Sequence, residues 1–236
     1  DIMKDNRIID AMKEEITHNI NTGAFTIVDL PPHSHTIGCT WAHKHKYHPD
    51  GSYWRTRSRA CPLGFMQIPG KEYQVDETAA PTLGIPTFHL YLHMVLYYEM
   101  KEKQFDIEKA FSIPELKETV YMTPPPGVKL PPGKVFKLLH SINGLKQSAF
   151  NFYNIFRSYL EEIGFKTTPY EPCLFYQHVK DEIVILILYV DDVRMASTST
   201  ELLETISTAI MKKFPSKESV LERFVGIELE RIEEIN

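Results

Sequence analysis

The residues Ile183 to Val190 (IVILILYV) form an unbroken apolar run, and Asp191 and Asp192 follow it directly. A run this short has the length of one buried strand and falls far below the roughly 18 to 20 residues that span a bilayer. No other apolar run is longer, so a soluble chain without a membrane partner is expected. A buried strand that ends on two carboxylates must compensate them, because unpaired buried charges cost several kcal/mol. Hard oxygen donors suit Mg2+ or Mn2+, which commonly take one or two carboxylates together with waters and substrate phosphates. Neighbouring strand residues point to opposite faces, so both Asp can serve one site only from the turn of a hairpin. YVDDV between two apolar strands predicts that hairpin.

A third carboxylate is expected close by, and Asp106, between Phe105 and Ile107 on a short apolar strand, is the candidate. Two such strands side by side would carry two divalent ions for in-line phosphoryl transfer. A lone Asp-Asp pair is common, and a solvated hairpin turn is the more frequent reading of these residues taken alone.

Phosphate partners need cations, and the net charge of -5 argues against them until its distribution is read. Lys44, Lys46, Arg55, Arg57, Arg59 and Lys71 crowd the stretch from Cys39 to Gln74 against only Asp50 and Glu72, whereas Glu201 to Glu234 is acidic. This polarity fits one face turned to a polyanion. The cations lie on two predicted strands joined across HPDGS, whose Pro, Asp and Gly are turn residues. His33, His35, His43, His45 and His48 invite a zinc reading, but no cysteine or carboxylate stands at ligand spacing, and packing on a half-buried strand is preferred. Cys39, Cys61 and Cys173 are odd in number and far apart, which argues against a disulfide framework.

Elsewhere, Ile8, Ile9, Met12, Ile16 and Ile20 predict a helix over Ile2–Ile20, followed by a short strand in AFTIVDLPP. Pro86 to Met100 is apolar nearly all round and predicts a largely buried helix. VYMTPPPGVKLPPGK is too proline-rich for regular structure. Ser148 to Ile163 is an amphipathic helix stopped by Gly164. PCLFYQHV and EIVILILYV are strands around KDE, VRMAS is the returning strand, and Thr198 with Glu201 caps a helix through Lys213. RFVGIELERI reads as a strand pair or a terminal strand. Interspersed helices and strands without a repeat give an α+β class with an antiparallel sheet. The opening residues lack a secretory layout and an initiator Met, so the chain reads as a piece of something longer.

YVDD at Tyr189 to Asp192 resembles the signature of reverse transcriptases. AMKEEI, LPP, IGCTW, DGS, QFDIEKAF, VYM, PPG, INGLKQ, YEPCLF, LILYVDD and FVGIEL resemble the landmarks of the copia or Ty1 class of LTR retrotransposon, in that family's order. The resemblance implies one domain over 1–236 with the fingers and palm of a right-hand polymerase and no thumb. Fingers would dominate 24–100, palm would take 101–123 and 165–236, and 124–164 would connect them. It implies an RNA-directed DNA polymerase that extends a primer on RNA or DNA with dNTPs, using two Mg2+ or Mn2+ ions. The alternative is a degenerate or domesticated copy acting in nucleic-acid or protein binding.

By the same resemblance Asp106, Asp191 and Asp192 are catalytic and metal-binding, and Arg57, Arg59, Phe111 and Gln147 bind the nucleotide. Phe111 is the steric gate against a ribose 2'-OH. Lys146, Tyr189, Phe224 and Gly226 contact primer or template. Integrase and RNase H would accompany the domain in a parent polyprotein, in cytoplasmic virus-like particles and the nucleus. Leu63 stands where the family carries Lys, and Arg194 where it carries an aliphatic residue. A buried Arg194 needs a carboxylate, and the site itself is one source of it.

Overall fold

Asp5 opens the first helix by accepting a hydrogen bond from the backbone N–H of Arg7 at 2.9 Å, and Arg7 holds the Asp5 carboxyl down at about 2. The computed structural model describes residues 5–48 and 50–230, so the expected helix start at Ile2 and the last residues of RFVGIELERI lie outside them. In chain order the elements begin with α1 (Asn6–Asn21), β1 (Phe25–Asp29), β2 (Cys39–Tyr47), β3 (Tyr53–Pro62), α2 (Ile85–Tyr97), β4 (Lys101–Ile107), β5 (Glu115–Met122) and β6 (Lys134–His140). They continue with α3 (Ser148–Glu162), β7 (Lys166–Thr167), β8 (Leu174–Val179), β9 (Glu182–Tyr189), β10 (Asp192–Ser197), α4 (Thr200–Lys213), β11 (Ser216–Glu218), β12 (Arg223–Phe224) and β13 (Ile227–Glu228). The class is α+β with antiparallel ladders throughout these strands.

The chain divides into two units, Asp1–Ala79 with Phe111–Phe152 and Ala80–Ala110 with Tyr153–Asn236. In the first, a three-stranded sheet in the order β1-β6-β5 and the β2-β3 hairpin surround Phe25, Ile37, Val120, Met122, Phe136 and Leu138, with Phe25 and Phe136 ring centroids 4.4 Å apart. Each such buried side chain contributes about 1.5–3 kcal/mol. The proline-rich stretch is regular at both ends, since Val120–Met122 completes β5 and Lys134 starts β6. Prolines forbid ladder bonds only in the loop between them.

Gly64 and Gly144 let two loops of this unit touch backbone to backbone. A Cβ on Gly64 would lie 2.2 Å from the Gly144 carbonyl oxygen, and one on Gly144, whose φ is +118°, would lie 2.5 Å from that of Pro62. The glycine of INGLKQ is therefore a packing requirement, and it fixes where Lys146 and Gln147 sit.

The second unit holds a six-stranded sheet in the order β11-β4-β10-β9-β8-β7. Val184, Ile185, Leu186, Ile187 and Leu188 in β9 are all buried, which only a strand covered on both faces allows. Ile185, Ile187 and Ala196 pack with Phe88, Tyr91 and Val95 of α2 and with Phe224, and α4 lies against β4 and β10 on the sheet. Here α2 departs from the expected buried helix. Thr87, Phe88, Tyr91 and Val95 are buried, but Leu90, Leu96 and Tyr97 are exposed, because only one side of the helix meets the sheet. The cap of α4 is also corrected. Ser199 accepts from the Leu202 N–H at 3.3 Å, while Thr198 is drawn to the Glu182 carboxylate and accepts from the Ile183 N–H at 3.0 Å.

Candidate active site

β9 and β10 form the hairpin that YVDDV predicts. Tyr189 pairs with Asp192, leaving Val190 and Asp191 as the two turn residues. Val190 takes φ +59°, the positive value that the first turn residue of a type II′ hairpin requires. A β-branched side chain is strained there, at a cost of order 1–3 kcal/mol. The backbone of Asp191 is pinned to the neighbouring strand, because its carbonyl accepts from the Ile107 N–H at 2.9 Å.

Asp192 in turn pairs with Asp106 across the β10-β4 ladder. Cross-strand partners share a face, so these two carboxylates stand side by side with Asp191 at the adjoining turn. Burial pushes the Asp192 carboxyl up to about 6, and the charges of Asp191 and Asp106 push the same way. A carboxylate crowded by two others and partly removed from water calls for a cation. The donor set is all hard oxygen, which fits Mg2+ or Mn2+. Among the described residues no three His, Cys, Asp or Glu side chains already converge as a ligand set.

Three residues that sequence reasoning did not single out stand on the same face of the sheet as this rung. Lys217 of β11 pairs with Asp106 from the other side and is exposed, so a cation stands on the carboxylates' face of the sheet. Its only sequence signal is its distance after α4, which does not reveal the register. Glu102 and Gln104 are the other two, and they determine what Arg194 does. Arg194 is 3% exposed, and its Nε donates to Glu102 Oε1 at 2.8 Å. Its Nη1 donates to Gln104 Oε1 at 3.2 Å and to the Leu221 carbonyl at 2.9 Å. The buried charge thus finds its carboxylate in Glu102, away from the Asp cluster.

Beside Asp192 lies a hollow lined by Gln104, Asp192, Arg223, Phe224 and Gly226. The β12-β13 hairpin forms its wall. The Phe224 ring is buried against Phe88 at 5.4 Å and serves as the hairpin's anchor, while Gly226 (φ +77°) sits exposed in the turn. Tyr189 is half-buried at the end of β9.

The remaining candidates lie in the first unit. In the β2-β3 register Lys44 pairs with Arg57, Lys46 with Arg55, and Ala42 with Arg59, which gathers five cations on one face of the hairpin. Burial lowers the Lys46 ammonium's pKa, and repulsion from Arg55, Arg57, Lys44 and Arg59 lowers it further. Arg59 Nε is buried without a hydrogen-bond partner. The other face carries His43 and His45, hydrogen-bonded at 2.8 Å to Ser58 and Thr56. Phe111 packs edge-on against Phe152 at 6.5 Å. Gln147 is 2% exposed, donates to the Glu72 carbonyl at 2.9 Å, and accepts from Gln67 Nε2 at 3.0 Å. Lys146 is exposed over the Tyr73 ring at 5.3 Å.

Comparison with known proteins shows the family of the chain. Residues 22–236 match the model of the reverse transcriptase (RNA-dependent DNA polymerase) family. The chain is 34% identical over 234 residues to the retrovirus-related Pol polyprotein from transposon RE2 of Arabidopsis thaliana, covering 98% of this chain and 16% of that polyprotein. It is 27% identical over 230 residues to the Pol polyprotein from transposon TNT 1-94 of Nicotiana tabacum, covering 96% and 17%. With the transposon Ty1-H Gag-Pol polyprotein of Saccharomyces cerevisiae it shares 30% over 152 residues, covering 62% and 8%. The chain spans about a sixth of the two plant polyproteins. It belongs to the reverse transcriptase family, in the type carried by the Pol polyproteins of copia-like retrotransposons.

Proposed function

We propose that this domain is an RNA-directed DNA polymerase, in which the primer 3'-OH attacks the α-phosphorus of a dNTP and pyrophosphate leaves. The observation that carries the reading is the rung of Asp106 and Asp192 with Asp191 at the adjoining turn, where burial and the charges of the other two raise the Asp192 carboxyl. Divalent ions held by these three carboxylates would activate the attacking oxygen and neutralise charge on the leaving pyrophosphate. Asp106 and Asp191 would be the chief ligands, and Asp192 would join them in its ionised form. Lys217, on the same face, supplies positive charge for phosphate oxygens. The hairpin that bears Phe224 and Gly226 lines the adjacent hollow and supports the primer end.

In the other unit, the cationic face of β2-β3 meets phosphates, with Arg59 and Arg57 as nucleotide contacts. Its unpartnered Nε makes Arg59 a ready donor to an anion. Phe111 acts as the gate against ribonucleotides. Template and primer are the nucleic-acid partners, and integrase and RNase H regions belong to the longer polyprotein.

The test is primer extension on poly(rA)/oligo(dT) with Mg2+ or Mn2+, comparing the protein with Asp191→Asn. Incorporation that Asp191→Asn abolishes supports the polymerase. Nucleic-acid binding with no Asp191-dependent incorporation would instead leave a binding module built on the cationic hairpin.

A further inference from the structure

Arg194 lies two register pairs below the carboxylates. Its register partner is Gln104, two residues before Asp106, just as Arg194 is two residues after Asp192, so all four side chains share one face of the sheet. The guanidinium spans from β4 to the segment that enters the β12-β13 hairpin, through Glu102 and Gln104 on one side and the Leu221 carbonyl on the other. Gln104 repeats the link, since its Nε2 donates to the Arg223 carbonyl at 2.9 Å and its own carbonyl accepts from the Ser219 N–H at 3.0 Å. Tyr91 of α2 donates to the same Glu102 oxygen at 3.2 Å and fixes that carboxylate from the helix side.

This network has more parts than a buried charge needs for neutrality. Glu102 alone would pair Arg194. The second guanidinium nitrogen is spent on the backbone of a segment whose own secondary structure is two strands of two residues each, too short to hold a place unaided. Arginine suits the task because its planar fork reaches two directions at once and stays charged across the working pH range.

We infer that Arg194 is a positioning residue for the primer end. It ties the Arg223–Glu228 hairpin to the strand carrying Asp106, which sets the hollow beside Asp192 to receive the terminal sugar and phosphate of a nucleic-acid strand. The inference rests on the polymerase reading.

The test pairs two variants. Arg194→Lys keeps the charge and its reach to Glu102 but loses the fork to Leu221. Arg194→Met with Glu102→Gln removes both charges, so no orphaned carboxylate is left to unfold the protein. Three readouts are melting temperature, amide hydrogen exchange of residues 219–229, and the Kd of a labelled recessed primer-template. For Arg194→Lys, exchange in 219–229 should rise about tenfold, the worth of one hydrogen bond to a charged group, with β4 and β10 still protected and the primer-template Kd raised several-fold. In the double variant the melting temperature should recover while fast exchange and weak binding persist. Wild-type exchange in 219–229 for Arg194→Lys, or recovery of binding together with stability in the double variant, would overturn the assignment. Neither exchange nor Kd needs turnover, so failure to incorporate dNTP would count against the polymerase reading alone.

Discussion

Asp192 and Asp106 are direct partners across the β10-β4 ladder, and the pairing raises the energy of the ionised site. The folded protein holds the Asp192 proton up to about pH 6, whereas an unfolded chain releases it near the usual carboxylate value. Ionising Asp192 therefore opposes folding as pH rises from about 4 to 6, and the full penalty stands above that. Half-exposure weakens it, leaving roughly 1 kcal/mol after solvent screening. In EDTA at pH 8, Asp192→Asn should melt a few degrees above the wild type, and at pH 4 the gain should vanish. Mg2+ should raise the melting temperature of the wild type more than that of this variant, which keeps Asp106 and Asp191 but loses the third carboxylate. A thermal melt series over pH and Mg2+ checks both.

Charge on the hairpin should matter for phosphate and little for folding. Arg59→Gln is expected to raise the dNTP KM by about tenfold or more with the melting temperature nearly unchanged, since Arg59 Nε has no partner to lose. An unchanged KM in steady-state incorporation would remove Arg59 from the nucleotide site.

Phe111→Ala should admit ribonucleotides, seen as a fall in the dNTP to rNTP ratio of kcat/KM. The Phe111-Phe152 ring contact predicts a concurrent stability loss of about 1–3 kcal/mol. Unaltered discrimination in a folded variant would show that Phe111 is only a packing residue.

Gly144→Ala tests the backbone contact with Pro62. An added Cβ meets backbone at 2.5 Å in a positive-φ position, so the variant should lose at least about 2 kcal/mol in denaturant melts. A neutral effect would mean that the two loops separate easily.

Much of this was legible in the sequence. The β9-β10 hairpin followed from an apolar run broken by two Asp residues, and α3 from Phe152, Phe156 and Leu160 at helical spacing before Gly164. That the cations lie on two strands joined across HPDGS was legible, but which of them share a face came only from the β2-β3 register. Long-range pairing was not legible. Nothing local says that Lys217 falls opposite Asp106, because register across a sheet is set by the whole fold. The same applies to Arg194, whose partner Glu102 is 92 residues away in sequence. The exposed side of α2 was hidden for a different reason. Leu90, Leu96 and Tyr97 are apolar, so the pattern that marks a buried face runs all round the helix.

Single-nucleotide incorporation on a primed RNA template at saturating Mg2+, measured for the wild type and for Asp106→Asn with matched melting temperatures, tests the central claim most directly. Asp106 should be indispensable, with the rate falling by at least about a thousandfold, as expected when a residue that organises transition-state charge is neutralised. Equal rates for the two proteins would contradict a carboxylate-centred transfer site.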